Sequence, residues 1–155
     1  MKKVDALFAQ YGDSHRNATN ELIHWVCVPA IFFSIIGFVS LISGPVLTVG
    51  IFGISAASAI VLALVVMYYA RLSAVIAAIM LLLMLVAQTV VYQINIHNPK
   101  AWVIYAGIFA VSWVFQFIGH KIEGKKPSFL TDIFFLLIGP IWLLHFVLNK
   151  LKISY

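Results

Sequence analysis

Long apolar runs, separated by short polar breaks, set the organisation of this chain. Val4, Leu7, Phe8 and Tyr11 recur at i, i+3, i+4 and i+7, which predicts a short amphipathic helix over residues 1–12. It is too short and polar to cross a bilayer, so it is expected to lie in the interface. Gly12-Asp13 marks a break. Five apolar runs come next, over about Trp25–Ile42, Val46–Tyr69, Leu72–Ile96, Ala101–Gly119 and Phe129–Leu148. Ser43-Gly-Pro45, Arg71, His97-Asn-Pro-Lys100 and the basic stretch ending at Pro127-Ser128 separate them. Pro29 falls in the first turns of its span, where it is tolerated. Gly139-Pro140 should kink the last span, and a last span that fails to cross leaves four. The expected fold is all-α. It is a polytopic membrane helical bundle of about five transmembrane segments plus the interfacial N-terminal helix. One domain, 1–155, is expected: an interfacial segment over 1–24, the bundle over 25–148 and a tail over 149–155.

Composition agrees with this picture. The chain is 63% hydrophobic and 10% charged, with mean hydropathy +1.05; soluble domains carry about 25% charged residues. The net charge of +5 does not point to nucleic acid, because the basic residues sit in short loops, as orientation signals do. With the N-terminus inside, Lys2, Lys3, Arg16, Arg71, Lys121, Lys125 and Lys126 face inward, against Lys100, Lys150 and Lys152 outside. This distribution predicts a cytoplasmic N-terminus. No cleavable signal peptide is expected, since Met1-Lys-Lys is followed by polar sequence. Cys27 excludes an internal disulfide and is read as a small apolar packing residue.

The polar residues inside this pattern carry the candidate chemistry. Gln88, Thr89, Gln93 and Asn95 should face protein rather than lipid. Gln116, His120 and Glu123 sit at i, i+4 and i+7, on one face of a helix that continues through Glu123. The other dense polar cluster runs from Tyr11 to His24, with Asn17, Thr19 and Asn20 as candidate N-caps. His15 and His24 would lie about 180° apart on one continuous helix, so they converge only if the chain bends between them. Residues 11–24 and 120–128 are separated by an even number of crossings and fall on the same side of the membrane. His15, His24, His120 and Glu123 can therefore meet. His97 is expected at the other end of the bundle, and His145 near the far end of the last span.

Three imidazoles and a carboxylate suit a divalent transition metal, and a two-His-one-carboxylate face is typical of non-haem Fe(II) oxygenases. The spacing has no tight HxxxH or CxxC pair, however. A histidine at a helix end is more often an interfacial hydrogen-bonding residue. Glu123 beside Lys121, Lys125 and Lys126 can be a surface ion pair of little worth. Spacing alone leaves a metal enzyme and a non-catalytic membrane protein equally open.

Two stretches shift that balance. Tyr11-Gly12-x-x-His15-x-Asn17-x-x-Asn20-x-x-x-His24-Trp-x-Cys-Val-Pro29 resembles the N-terminal signature of the 2-hydroxy fatty acid dioxygenase family, the yeast-type enzymes of fatty acid α-oxidation. Gln116-Phe-Ile-Gly119-His120-Lys-Ile-Glu123-Gly-Lys-Lys-Pro127-Ser-Phe resembles the second signature, in its bacterial form, and Leu137-Ile-Gly-Pro140 also fits. The resemblance implies an Fe(2+)-dependent dioxygenase in lipid and fatty acid metabolism. A 2-hydroxy fatty acid would be shortened by one carbon using O2, with its acyl tail between the helices. The implied ligands are His15, His24 and His120. Glu123 becomes a ligand or an orienter of a histidine, and Asn20, Gln116 and Tyr11 become supporting or substrate contacts. Lys125 or Lys126 would pair with the substrate carboxylate. His97 joins only if the third and fourth segments form a hairpin dipping from the same side. The location implied is a bacterial inner membrane.

Two other classes compete. A non-catalytic membrane protein would use its polar ends to bind lipid headgroups or a partner. A metal or haem carrier would need a polar path, to which only Gln88, Thr89, Gln93 and Asn95 point. The small-residue face Gly50, Gly53, Ala56 and Ala57 suits close helix approach and is compatible with a homo-oligomer.

Overall fold

A computed structural model describes residues 3–126 and 134–155. The Pro127-Ser128 break and the beginning of the fifth apolar run fall outside the described residues. Six helices and one hairpin are present among them: α1 (Lys3–Gly12), α2 (Ala18–Ser40), β1 (Val46–Val49), β2 (Phe52–Ser55), α3 (Ala56–Ala70), α4 (Ala74–His97), α5 (Ala101–Glu123) and α6 (Phe135–Lys150). The fold is all-α in its bulk, as expected. α2, α4 and α5 are long and apolar enough to cross a membrane. α3 and α6, at 15 and 16 residues, are shorter than the ~20 residues a crossing needs. The chain packs as two units, one of Met1–Ile31 with Ala110–Tyr155, the other of Phe32–Phe109.

α2 begins seven residues before the expected Trp25, because Asn17 caps it. The Asn17 side-chain oxygen accepts from the Thr19 and Asn20 amides at 2.9 and 3.4 Å, satisfying donors that the first turn leaves orphaned. Pro29 therefore sits well inside the helix rather than in its first turns. α5 runs through Glu123, so the 116/120/123 face is real. It ends on Gly124, whose φ of 73° is left-handed. The Lys125 amide donates to the His120 carbonyl and the Gly124 amide to the Lys121 carbonyl, the closing pattern of a helix that stops on glycine.

In the first unit, α1 lays Val4, Phe8 and Tyr11 inward. The Phe8 ring lies 4.9 Å from His145 of α6, and Tyr11 lies 5.3 Å from Trp142. The apolar face read as interfacial is thus covered, at least on this side, by α6. After α6 the chain turns back through Lys152, and the Tyr155 hydroxyl hydrogen-bonds His145.

In the second unit, the expected helix over Val46–Tyr69 is not continuous. Its first ten residues form an antiparallel hairpin in which Val49 pairs with Phe52. Gly50 has φ +57° while Ile51 stays out of the left-handed region, which matches the two-residue type II′ loop. Ser55 then caps α3 by accepting from the Ser58 amide at 3.1 Å. The polar residues of α4 turn onto protein. Gln88 and Gln93 donate to the Gly53 and Ile51 carbonyls at 2.9 and 2.7 Å. Asn95 donates to Ser40 Oγ at 2.8 Å and accepts from the Tyr105 hydroxyl at 2.7 Å. Tyr105 is fully buried with Val91 and Ala101 and rests on Gly37.

That contact gives a paired prediction. A Cβ at Gly37 would stand 2.5 Å from the Tyr105 ring, whereas one at Gly107 meets nothing within 4 Å. Gly37→Ala is expected to lower the thermal unfolding midpoint in detergent by several degrees. Gly107→Ala should leave it level or raise it, since alanine is favoured over glycine in helices by about 1 kcal/mol.

Candidate metal centre

The bend between α1 and α2 brings the two N-terminal histidines together. The Ser14 and His15 amides donate to the Tyr11 and Gly12 carbonyls, and the chain re-enters a helix only at Ala18. His15 and His24 then face each other, Nε2 to Nε2, at 2.9 Å. His120 joins them from the last turn of α5. The three rings lie 4.2 to 5.0 Å apart between centroids, at 72° to 89° to one another. All three residues are buried, and each offers a ligand atom within 4.8 Å of the others.

The backbone sets the tautomers. His15 Nδ1 donates to the Tyr11 carbonyl at 2.6 Å, and His24 Nδ1 donates to the Asn20 carbonyl at 2.8 Å. A carbonyl can only accept, so both protons sit on Nδ1. In the neutral rings each Nε2 is then a bare lone pair, and two lone pairs at 2.9 Å repel unless a cation lies between them. Two nitrogens bound at ~2.1 Å to one ion and at right angles would be ~3.0 Å apart. Buried His120 Nδ1 has no hydrogen-bond partner among the described residues, as expected of a nitrogen held for a ligand. The donor set therefore fits a transition-metal ion. Burial also holds the His15 imidazole below its usual range, against the opposing pull of the Tyr11 carbonyl and Glu123. A neutral ring is the form a metal binds.

The structure separates the remaining expected residues by role. Glu123 is not part of the three-histidine group. Its carboxylate accepts from the Arg16 amide at 3.0 Å, the Asn17 amide at 2.8 Å and Asn20 Nδ2 at 3.2 Å. It thus sits at the start of α2, where a negative charge is favoured, and ties the His15 loop to the end of α5. Asn20 is fully buried, and its Nδ2 also donates to the Ser14 carbonyl. Its Oδ1 lies so close to Gly119 that a Cβ there would collide with it. Tyr11 stacks flat on His15, with centroids 4.2 Å apart and planes 9° apart. Burial raises the pKa of its phenol, which stays protonated. Gln116 is buried on the α5 face that carries His120. His97 is exposed at the end of α4, with Nδ1 donating to the Gln93 carbonyl, and it is not in the group. Lys125 donates to the Asp13 carbonyl at 2.6 Å.

Sequence reasoning missed Trp142. Its ring lies 5.3 Å from both Tyr11 and His15 and walls the centre on the α6 side. The only signal was the nearby Gly139-Pro140, where Gly139 lets the Tyr11 hydroxyl come close.

Among known families, residues 1–151 match the one described as 2-hydroxy-palmitic acid dioxygenase Mpo1-like. No curated protein and no solved structure matches the chain.

Two outcomes are expected at this site. Glu123→Gln keeps the helices but loosens the His15 loop, so metal affinity should fall about tenfold, the lower end of what supporting partners contribute. Metal-binding titrations with circular dichroism on the same samples check this. In the wild type, a lowered His15 pKa means that protons compete weakly at neutral pH. Bound metal should persist down to about pH 6.5, the ordinary imidazole value, and be released as pH falls further. Dialysis at stepped pH with metal analysis reads this directly.

Proposed function

The chain belongs to the 2-hydroxy-palmitic acid dioxygenase Mpo1-like family, and on that footing we propose that His15, His24 and His120 hold Fe(2+) in a membrane-bound dioxygenase. Its substrates are 2-hydroxy fatty acids, which it shortens by one carbon with O2. The observation that carries the metal is the pair of bare Nε2 atoms at 2.9 Å. The family carries the substrate class.

When bound, the iron supplies sites at which the substrate's 2-hydroxyl and carboxylate and O2 can be brought together. The chain's own residues do the rest. The Tyr11 and Asn20 carbonyls fix the tautomers of His15 and His24, so their Nε2 atoms stay available. Tyr11 and Trp142 pack on His15 and keep its ring from rotating. Glu123 and Asn20 hold the loop that carries His15. The Lys125-Lys126 loop supplies positive charge for the substrate carboxylate, and the apolar helices take the acyl tail. The match spans nearly the whole chain, which supports one functional domain. His97 is left out of the ligand set, and Glu123 acts by positioning. The location is an inner membrane with the N-terminus cytoplasmic, from the distribution of Lys and Arg.

The test is metal content of detergent-purified protein, made without a histidine-rich tag, beside His120→Ala. About one iron per chain is expected, consistent with three ligands on one ion, and it should be lost in the variant. O2 consumption with 2-hydroxypalmitate should fall at least a hundredfold in the variant. Absence of metal after anaerobic Fe(II) loading would refute the reading.

A further inference from the structure

The hairpin in the second unit has two edges, and the fold treats them differently. Its register and the Ala56 amide bond to the Pro45 carbonyl fix which groups point where. Pro45, Leu47 and Val49 face β2 with their main-chain groups, so those of Val46 and Thr48 point outward. On the opposite edge the corresponding outward residues are Ser55, which leads into α3, and Gly53. The Gly53 carbonyl accepts from Gln88, and the loop carbonyl of Ile51 accepts from Gln93. Two buried or half-buried amides of α4 are thus spent on satisfying the β2 side. On the β1 side no described hydrogen bond reaches the N–H or C=O of Val46 or Thr48.

Those four groups stand in apolar surroundings. From Leu22 to Ala70 the sequence contains no Asp, Glu, Lys or Arg. The strand and loop expose Val46, Leu47, Val49 and Ile51 at 51% to 72%. None of the usual devices that block edge pairing is present along β1: no lysine, no bulge, no proline at an outward position. Main-chain groups left unpaired in a lipid setting are strongly unfavourable, because no water is there to meet them.

We propose that β1 pairs with β1 of a second copy of this chain, antiparallel across a two-fold axis, to make a four-stranded sheet. The edge is complementary to itself. With Val46 opposite the partner's Thr48, each of the four outward groups on one copy meets its counterpart on the other, and none is left over. Any other register leaves at least one of them unpaired. The axis then passes between the two Leu47 residues, which form a non-hydrogen-bonded pair with side chains ~4.5–5.5 Å apart at Cβ. The contact is isologous, as closed dimers require. It does not involve the three-histidine centre, so it stands or falls independently of the proposed chemistry.

The test is disulfide trapping in the full chain, in detergent and in lipid vesicles, with Cys27→Ser removing the native thiol. Leu47→Cys should give a covalent dimer under mild oxidation, because a non-hydrogen-bonded antiparallel pair has the Cα spacing a disulfide needs. Val49 is as exposed as Leu47, but it lies two positions off the axis and hence four positions, ~13 Å along the strands, from its copy. Val49→Cys should cross-link at least tenfold more slowly. Adding Thr48→Pro to Leu47→Cys deletes an outward N–H that the hairpin itself does not use, so the helices should persist by circular dichroism while trapping is lost. Trapping at Leu47 and not at Val49, abolished by Thr48→Pro, supports the pairing. Equal trapping at both positions means collision, and no trapping at Leu47 in a folded sample means that water or lipid headgroups satisfy the edge. Either result overturns the proposal.

Discussion

Two imidazole nitrogens face each other at 2.9 Å with their protons committed elsewhere. Most of the first unit can be understood as the means of holding that unfavourable arrangement. The Tyr11 and Asn20 carbonyls, each four residues before the histidine it serves, take the Nδ1 protons. Tyr11 stacks on His15, Trp142 packs beside both, and His120 arrives from the last turn of α5. A buried polar group without a partner costs about 1–3 kcal/mol. This site concentrates several lone pairs in one place, which an ion can satisfy together.

Glu123 shows that spacing can place a residue on a face without saying whether it binds an ion or orients the residues that do. Helical spacing places it on the His120 face, and that placement is correct. Spacing says nothing of what approaches the face from elsewhere in the chain. The N-terminus of α2 approaches it, with the Arg16 and Asn17 amides unsatisfied by their own helix. A carboxylate beside those donors makes the stronger set of bonds there. The meeting of His15, His24 and His120 was expected from a bend and an even number of crossings; the bend is there at Ser14 and His15, whereas among the described helices only α2, α4 and α5 are long enough to cross. The wall formed by Trp142 was not legible, because one aromatic residue in an apolar run carries no periodic signal.

The fold was legible where periodicity and breaks agree, as in α4 and α5, and less so where composition is uniform. Val46–Tyr69 is apolar throughout, so hydropathy cannot divide it. Two local features do: β-branched residues before Gly50, and Ser55 positioned to cap α3. The loop at Gly50-Ile51 needs a left-handed residue first, and glycine supplies it. Length then decides the rest. A helix that starts at Ala56 rather than Val46 loses ten residues, about 15 Å of the ~30 Å hydrocarbon core.

The same constraint governs both units. In a chain this apolar, water is a scarce partner, and every main-chain group outside a helix must be met by something specific. Asn17 meets the start of α2, Glu123 meets the residues just before it, and Gln88 and Gln93 meet one edge of the hairpin. The polar side chains of α4 are therefore better explained by the irregular backbone beside them than by a path for ions. Where no such partner is found among the described residues, as along β1 or between His15 and His24, the partners proposed above come from outside the single chain, a second copy in one case and a metal ion in the other. The two differ in kind. The histidine pair wants a cation, because its exposed atoms are all acceptors. The strand edge alternates donors with acceptors, and the simplest body that offers the same alternation in reverse is the strand itself.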